Sequence, residues 1–132
     1  MTVVVDTSAF YAILDRDDAN HARARNTFAR LLGDSTILIT HNYVLIETAA
    51  LIQHRLGVAA VRTFHEDIVP LLEIEWVSEQ RHKAGMEAML TAARKRLSLV
   101  DCVSFQTMRE QGIRTAFCFD SHFREQGFEM LP

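Results

Sequence analysis

Short β-branched runs alternate with longer amphipathic stretches along the whole chain. TVVVD at 2–6 is apolar at consecutive positions, the mark of a strand covered on both faces. TSAFYAILDR (7–16) and NHARARNTFARLL (20–32) carry helical spacing, the second with Ala22, Phe28, Leu31 and Leu32 among polar residues. STILIT (35–40) predicts a second strand, and NYVLIETAALIQHRL (42–56) a helix closed by Gly57. VAAVRTFHEDIVPLL (58–72) predicts a helix that ends or kinks near Pro70, whose ring removes a backbone donor. LEIEWV (72–77) alternates as a strand does, and Ser78 is placed to cap a helix over 78–94. A helix over 100–112 ends at Gly112, IRTAFCFD (113–120) predicts a strand, and a short helix and a last strand near FEMLP close the chain.

Strands separated by helices imply crossover connections, hence a mostly parallel sheet covered by helices on both faces. In such α/β folds ligands sit beyond the carboxyl ends of the strands. That rule directs attention to Asp6, which ends the first strand, and to Asp120, which ends the strand at 113–120. Glu47 lies early in the 42–56 helix, on the line of Val44 and Leu51. Asp101 opens its helix behind the candidate cap Ser98 and shares a face with Phe105 and Met108.

Each acid has a structural reading of its own. Asp6 and Asp101 suit helix caps, Asp120 suits a turn before SHF, and Glu47 suits a local hydrogen bond. Four carboxylates delivered to one edge without a cation would repel and raise one another's pKa values. A hard divalent cation removes that conflict. Mg²⁺ or Mn²⁺ is the expected cofactor, since oxygen ligands suit both and no Cys or His set with ligand spacing competes. The six histidines form no metal set, and surface or hydrogen-bonding roles are expected of them; His122, close to Asp120, is the weaker candidate for a substrate contact.

Composition narrows the classes further. At 132 residues, 48% hydrophobic and 23% charged, the chain fits one domain spanning 1–132. No apolar stretch approaches the ~20 residues of a membrane span, and no signal-peptide pattern precedes VVV. Cys102 and Cys118 lack metal or redox spacing and read as buried thiols of a cytoplasmic protein. The net charge of −3 excludes bulk basic attraction to nucleic acid. The dense basic cluster Arg94, Lys95 and Arg96, just before Asp101, is a weaker candidate for steering phosphates.

VVVDTSAFYAIL, THNYVLIETAAL, LSLVDCVSF and FCFDSHF, in this order and at this spacing, resemble the PIN-domain ribonucleases, in particular the VapC toxins of bacterial toxin–antitoxin pairs. The resemblance covers nearly the whole chain. It implies a three-layer α/β/α sandwich with a mostly parallel sheet of about five strands and the acids in one pocket. It implies Mg²⁺- or Mn²⁺-dependent endonuclease action on RNA, a homodimer, and a small antitoxin whose C-terminal segment blocks the pocket. Asp6, Glu47, Asp101 and Asp120 match the family's acidic positions, and Thr7 or Ser8 its polar residue beside the first acid. Ser121 stands where family members often carry a basic residue, and Cys102 and Phe105 where small residues are usual.

In the expected mechanism Asp6 and Asp101 are the principal metal ligands and Asp120 completes the site or holds a second ion. Glu47 orients or deprotonates the attacking water, and Ser8 holds a ligand in place. A receiver domain would need an acidic pair after the first strand and a later Lys; a haloacid-dehalogenase-like phosphatase would need Asp-x-Asp where this chain has Asp-Thr-Ser. The remaining alternative is a non-catalytic PIN-like module that binds RNA or protein.

Overall fold

Five short strands form one all-parallel sheet: β1 (Thr2–Val5), β2 (Ile37–His41), β3 (Glu73–Glu75), β4 (Thr115–Phe117) and β5 (Glu129–Leu131), in the order β3-β2-β1-β4-β5. The structure, a computed structural model, describes residues 1–132. Between the strands run α1 (Thr7–Leu14), α2 (His21–Gly33), α3 (Asn42–Leu56), α4 (Val58–Thr63), α5 (Glu79–Ala92), α6 (Leu99–Gln111) and α7 (His122–Glu125). No helix is long and apolar enough to cross a membrane.

The unbroken valines of β1 are explained by its central position. Val3 and Val5 enter a core with Phe10, Leu31, Val44, Ile52 and Phe64, built on α1, α2, α3 and the segment after α4. Val4 points the other way, into a second core with Cys102, Phe105, Met108 and Phe123 from α6 and α7. The same split repeats in β4, where Phe117 joins the first core and Ala116 the second. Side chains alternate across a strand, so each sheet face has its own core. The result is the three-layer sandwich expected from the sequence.

Two expectations are corrected. The pattern over 58–72 is not one helix: α4 loosens into a π-turn at Phe64–Ile68 and a 3-10 turn at Val69–Leu71. The Val69 N–H reaches back to the Phe64 carbonyl, and Pro70 has no N–H to continue the ladder. The strand expected at 113–120 pairs only over Thr115–Phe117, because the chain turns out of the sheet toward Asp120. On the far face, α5 and α6 approach closely at Gly85. A Cβ there would lie 2.8 Å from Val103 Cγ2.

β1 and β4 are neighbours whose following connections lead to opposite sides of the sheet, to β2 and to β5. This is the switch point at which an open parallel sheet leaves a crevice at its carboxyl edge.

Candidate metal centre

Asp6 and Ser8 occupy one wall of that crevice. Asp6 has extended backbone angles (φ −98, ψ 161) and caps α1, its Oδ2 accepting from the Ser8 N–H at 3.2 Å. The Ser8 hydroxyl donates to the same oxygen at 2.8 Å and accepts the Phe119 N–H at 2.9 Å. Ser8 thereby joins the end of β1 to the segment leaving β4. Thr7 is buried and its Oγ1 accepts from Thr48 on α3 at 3.2 Å, which fixes the start of α1 against the helix that carries Glu47.

Asp101 arrives from the opposite face on the first turn of α6. Ser98 Oγ accepts the Asp101 N–H at 3.1 Å, and Asp101 Oδ2 accepts the Ser98 N–H at 3.2 Å. This reciprocal capping box fixes the carboxylate in both position and orientation. His41, at the end of β2, secures α6 one turn further on. Ser104 Oγ donates to the Val100 carbonyl at 3.1 Å and accepts from His41 Nε2 at 2.8 Å. Burial holds the His41 imidazole near 4, well below its usual pKa, so it serves as a neutral structural strut.

Asp120 lies just beyond β4, its Oδ1 accepting the His122 N–H at 2.9 Å. The His122 ring folds over it, with Nδ1 3.2 Å from Asp120 Oδ1 and 3.6 Å from Asp101 Oδ2. Ligand atoms of Asp101, Asp120 and His122 all lie within 4.8 Å of one another. Asp6 feels the same charges. Its pKa is pushed up to about 7, chiefly by burial, against the pull of the Ser8 hydroxyl and with repulsion from Asp101 and Asp120 added. Asp101 is raised as well, first by burial and then by Asp120. Carboxylates that resist ionisation together are what a divalent cation would relieve, and the donor set of carboxylate oxygens fits one.

Of the residues expected at the site, Asp6, Asp101 and Asp120 gather at one rim with Ser8 behind them. Asp6 and Glu47 both lie outside the group of ligand atoms that Asp101, Asp120 and His122 bring within 4.8 Å of one another, though Asp6 feels the charges of Asp101 and Asp120. The buried stripe of α3 runs through Val44, Thr48 and Ile52, leaving Glu47 half-buried at its edge with no hydrogen-bond or ion-pair partner. Arg94, Lys95 and Arg96 are exposed in the turn before α6, and Arg94 pairs with Glu125 of α7 at 2.9 Å. The sequence assigns His122 no part in a metal set and only a weak claim to substrate contact. Its two-residue spacing from Asp120 was the available signal, and only the tertiary meeting with α6 gives that spacing meaning.

The PIN domain family matches residues 3–129. The 23S rRNA-specific endonuclease VapC20, known from two strains of Mycobacterium tuberculosis, is 32% identical over 132 residues, covering 98% of this chain and 98% of its own length. The crystal structure of Mycobacterium tuberculosis VapC20, described as a Sarcin-Ricin loop cleaving toxin, superposes with a TM-score of 0.83 at 30% identity, over 96% of this chain and 95% of that one. FitAcB from Neisseria gonorrhoeae shares the fold, with a TM-score of 0.69 at 14% identity over 100% of this chain and 97% of that one.

Proposed function

Because the chain belongs to the PIN-domain family, we propose that it is a divalent-cation-dependent endoribonuclease, the toxin of a toxin–antitoxin pair. One observation carries the reading: ligand atoms of Asp101, Asp120 and His122 lie within 4.8 Å of one another beyond the carboxyl ends of β1 and β4, with buried Asp6 feeling the charges of both acids. Asp101 and Asp120, with Asp6 beside them, would hold Mg²⁺ or Mn²⁺. When bound, such an ion supplies the Lewis acidity that phosphodiester hydrolysis requires.

The chain's own residues do the rest. Ser8 fixes the orientation of the Asp6 carboxylate, and the Ser98–Asp101 capping box fixes that of Asp101. Glu47 carries no partner that would occupy its carboxylate, and in this reading it accepts the proton of the attacking water. Lys95 and Arg96 make no ion pair and meet incoming phosphates. Hydrolysis by water leaves a 5′-phosphate and a 3′-hydroxyl.

The named substrate of VapC20 makes 23S rRNA the first RNA to test. The toxin relative VapC20 supports an antitoxin partner for this chain. An RNA substrate and two free thiols, Cys102 and Cys118, support a cytoplasmic location.

The test is incubation of purified protein with ribosomal and total RNA, with and without Mg²⁺ or Mn²⁺, followed by mapping of the cut ends. Cleavage that requires the cation, leaves 5′-phosphates and disappears in Asp101→Asn and Asp120→Asn is expected. Products ending in 2′,3′-cyclic phosphate, or cutting that survives chelation, would overturn the mechanism. Cation-independent RNA binding without cutting would establish the non-catalytic module instead.

A further inference from the structure

We propose that His122 supplies a nitrogen ligand, through Nδ1, to the divalent cation held by Asp101 and Asp120, and that this nitrogen makes the site prefer Mn²⁺ to Mg²⁺. The inference rests on the nuclease reading and adds the ion preference of that same site.

Three observations support it. The first is distance. Ligands in adjacent positions around an octahedral ion of this size stand about 3 Å apart, given metal–ligand bonds of about 2.1 Å. His122 Nδ1 is 3.2 Å from Asp120 Oδ1 and 3.6 Å from Asp101 Oδ2.

The second is direction. Nδ1 is shut off from solvent yet makes no hydrogen bond, despite two carboxylate oxygens within 3.6 Å. Its in-plane lone pair, or N–H, is not aligned with either oxygen. A buried polar nitrogen left without a partner is costly. An ion shared with Asp101 and Asp120 would satisfy it.

The third is rigidity. Phe123, the next residue, is buried edge-on against Phe105 at 5.0 Å between ring centroids. Phe105 lies one helical turn beyond Asp101, so this contact fastens α7 to the helix that carries the acid. Arg94 clasps Glu125 at the other end of α7. The ring is thus presented at a set position and does not hang from a loose loop.

The ion preference follows from ligand chemistry. Mg²⁺ strongly favours all-oxygen coordination and gives up water reluctantly, whereas imidazole is an ordinary ligand for first-row transition ions. A single nitrogen in an otherwise oxygen site therefore disfavours Mg²⁺ relative to Mn²⁺.

The experiment uses the whole metal-stripped chain. Pulsed electron paramagnetic resonance of the Mn²⁺-loaded protein should show a nitrogen coupling, and that coupling should vanish in His122→Gln and His122→Ala. Equilibrium titration should show Mn²⁺ affinity falling about tenfold in both variants, on the order of 1.4 kcal/mol, while Mg²⁺ affinity falls less than about twofold. Circular dichroism melts of the variants confirm that the fold is intact. A Mn²⁺ signal from the wild-type protein with oxygen ligands only, or an equal loss of both ions in the variants, would overturn the role of His122 and leave the nuclease reading standing. Failure of the wild-type protein to bind either ion would overturn both.

Discussion

The Ser8 hydroxyl is 2.8 Å from the Asp6 carboxylate, and it is the only side chain hydrogen-bonded to it. The Ser8 hydroxyl oxygen in turn accepts the Phe119 N–H. One small side chain thus orients the first acid and satisfies a backbone donor of the segment leading to Asp120. Ser8→Ala removes both functions. Leaving the Phe119 N–H unpaired should cost about 1–3 kcal/mol of stability, read as a lower midpoint in urea. The Ser8 hydroxyl also lowers the Asp6 pKa, so the variant's Asp6 should titrate higher than the wild type's.

Asp6 makes the metal-free protein sensitive to pH. Its carboxyl is raised to about 7 in the folded chain and lies near 3.9 in an unfolded one. Between those values the folded state binds more protons, so the Asp6 contribution to stability falls as pH rises through the window from about 4 to about 7. In a chelator, Asp6→Asn should match the wild type near pH 4 and exceed it at pH 8 by on the order of 4 kcal/mol. Denaturation curves of both proteins across that range check it. Divalent cation should close the gap, since it stabilises the ionised wild-type cluster.

Glu47 is half-buried with no hydrogen-bond or ion-pair partner, and its proposed role as proton acceptor differs from that of the metal-holding acids. Glu47→Gln should lower the cleavage rate by about 10²–10⁴-fold, as expected for loss of a general base, with Mn²⁺ affinity unchanged. Asp101→Asn should lower both. Single-turnover cleavage alongside metal titration distinguishes the two patterns.

Lys95 and Arg96 are exposed and free of ion pairs, in contrast to Arg94, which is tied to Glu125. Replacing Lys95 and Arg96 by Ala should raise KM, leave kcat unchanged, and flatten the dependence of RNA binding on salt by about one to two phosphate contacts. Arg94→Ala should instead show its effect in thermal stability.

Ala93 closes α5 in the left-handed region, at φ 51. This conformation is strained for a residue with a Cβ and easy for glycine. Ala93→Gly should therefore stabilise the chain by about 1 kcal/mol in urea unfolding, while cation affinity stays the same.

The architecture and most of the acid cluster were readable from the residues alone, for a physical reason. A strand of consecutive valines has no exposed face, so β1 had to be central, and a central parallel strand has to end at the ligand-binding edge. Asp6 follows directly. Helix capping does not compete with metal binding at Asp6 and Asp101. Asp6 caps α1, Asp101 is the partner of the cap Ser98 in its capping box, and these bonds aim both carboxylates. Less was legible where long-range packing decides. The placement of His122 depends on Phe123 meeting Phe105, and the edge position of Glu47 on which side of α3 faces α1. The break after α4 was foreshadowed by Pro70, but its π form follows from the particular fit of Phe64 and Ile68 into the first core.

The bond between Ser8 and Phe119 spans 111 positions of the chain. A contact between positions this distant carries the loop-closure entropy of everything between them, so it forms only together with the pairing of β1 with β4. The orientation of Asp6 therefore depends on a strand more than a hundred residues away, and any local opening of β4 releases the Asp6 carboxylate without a change at Asp6 itself.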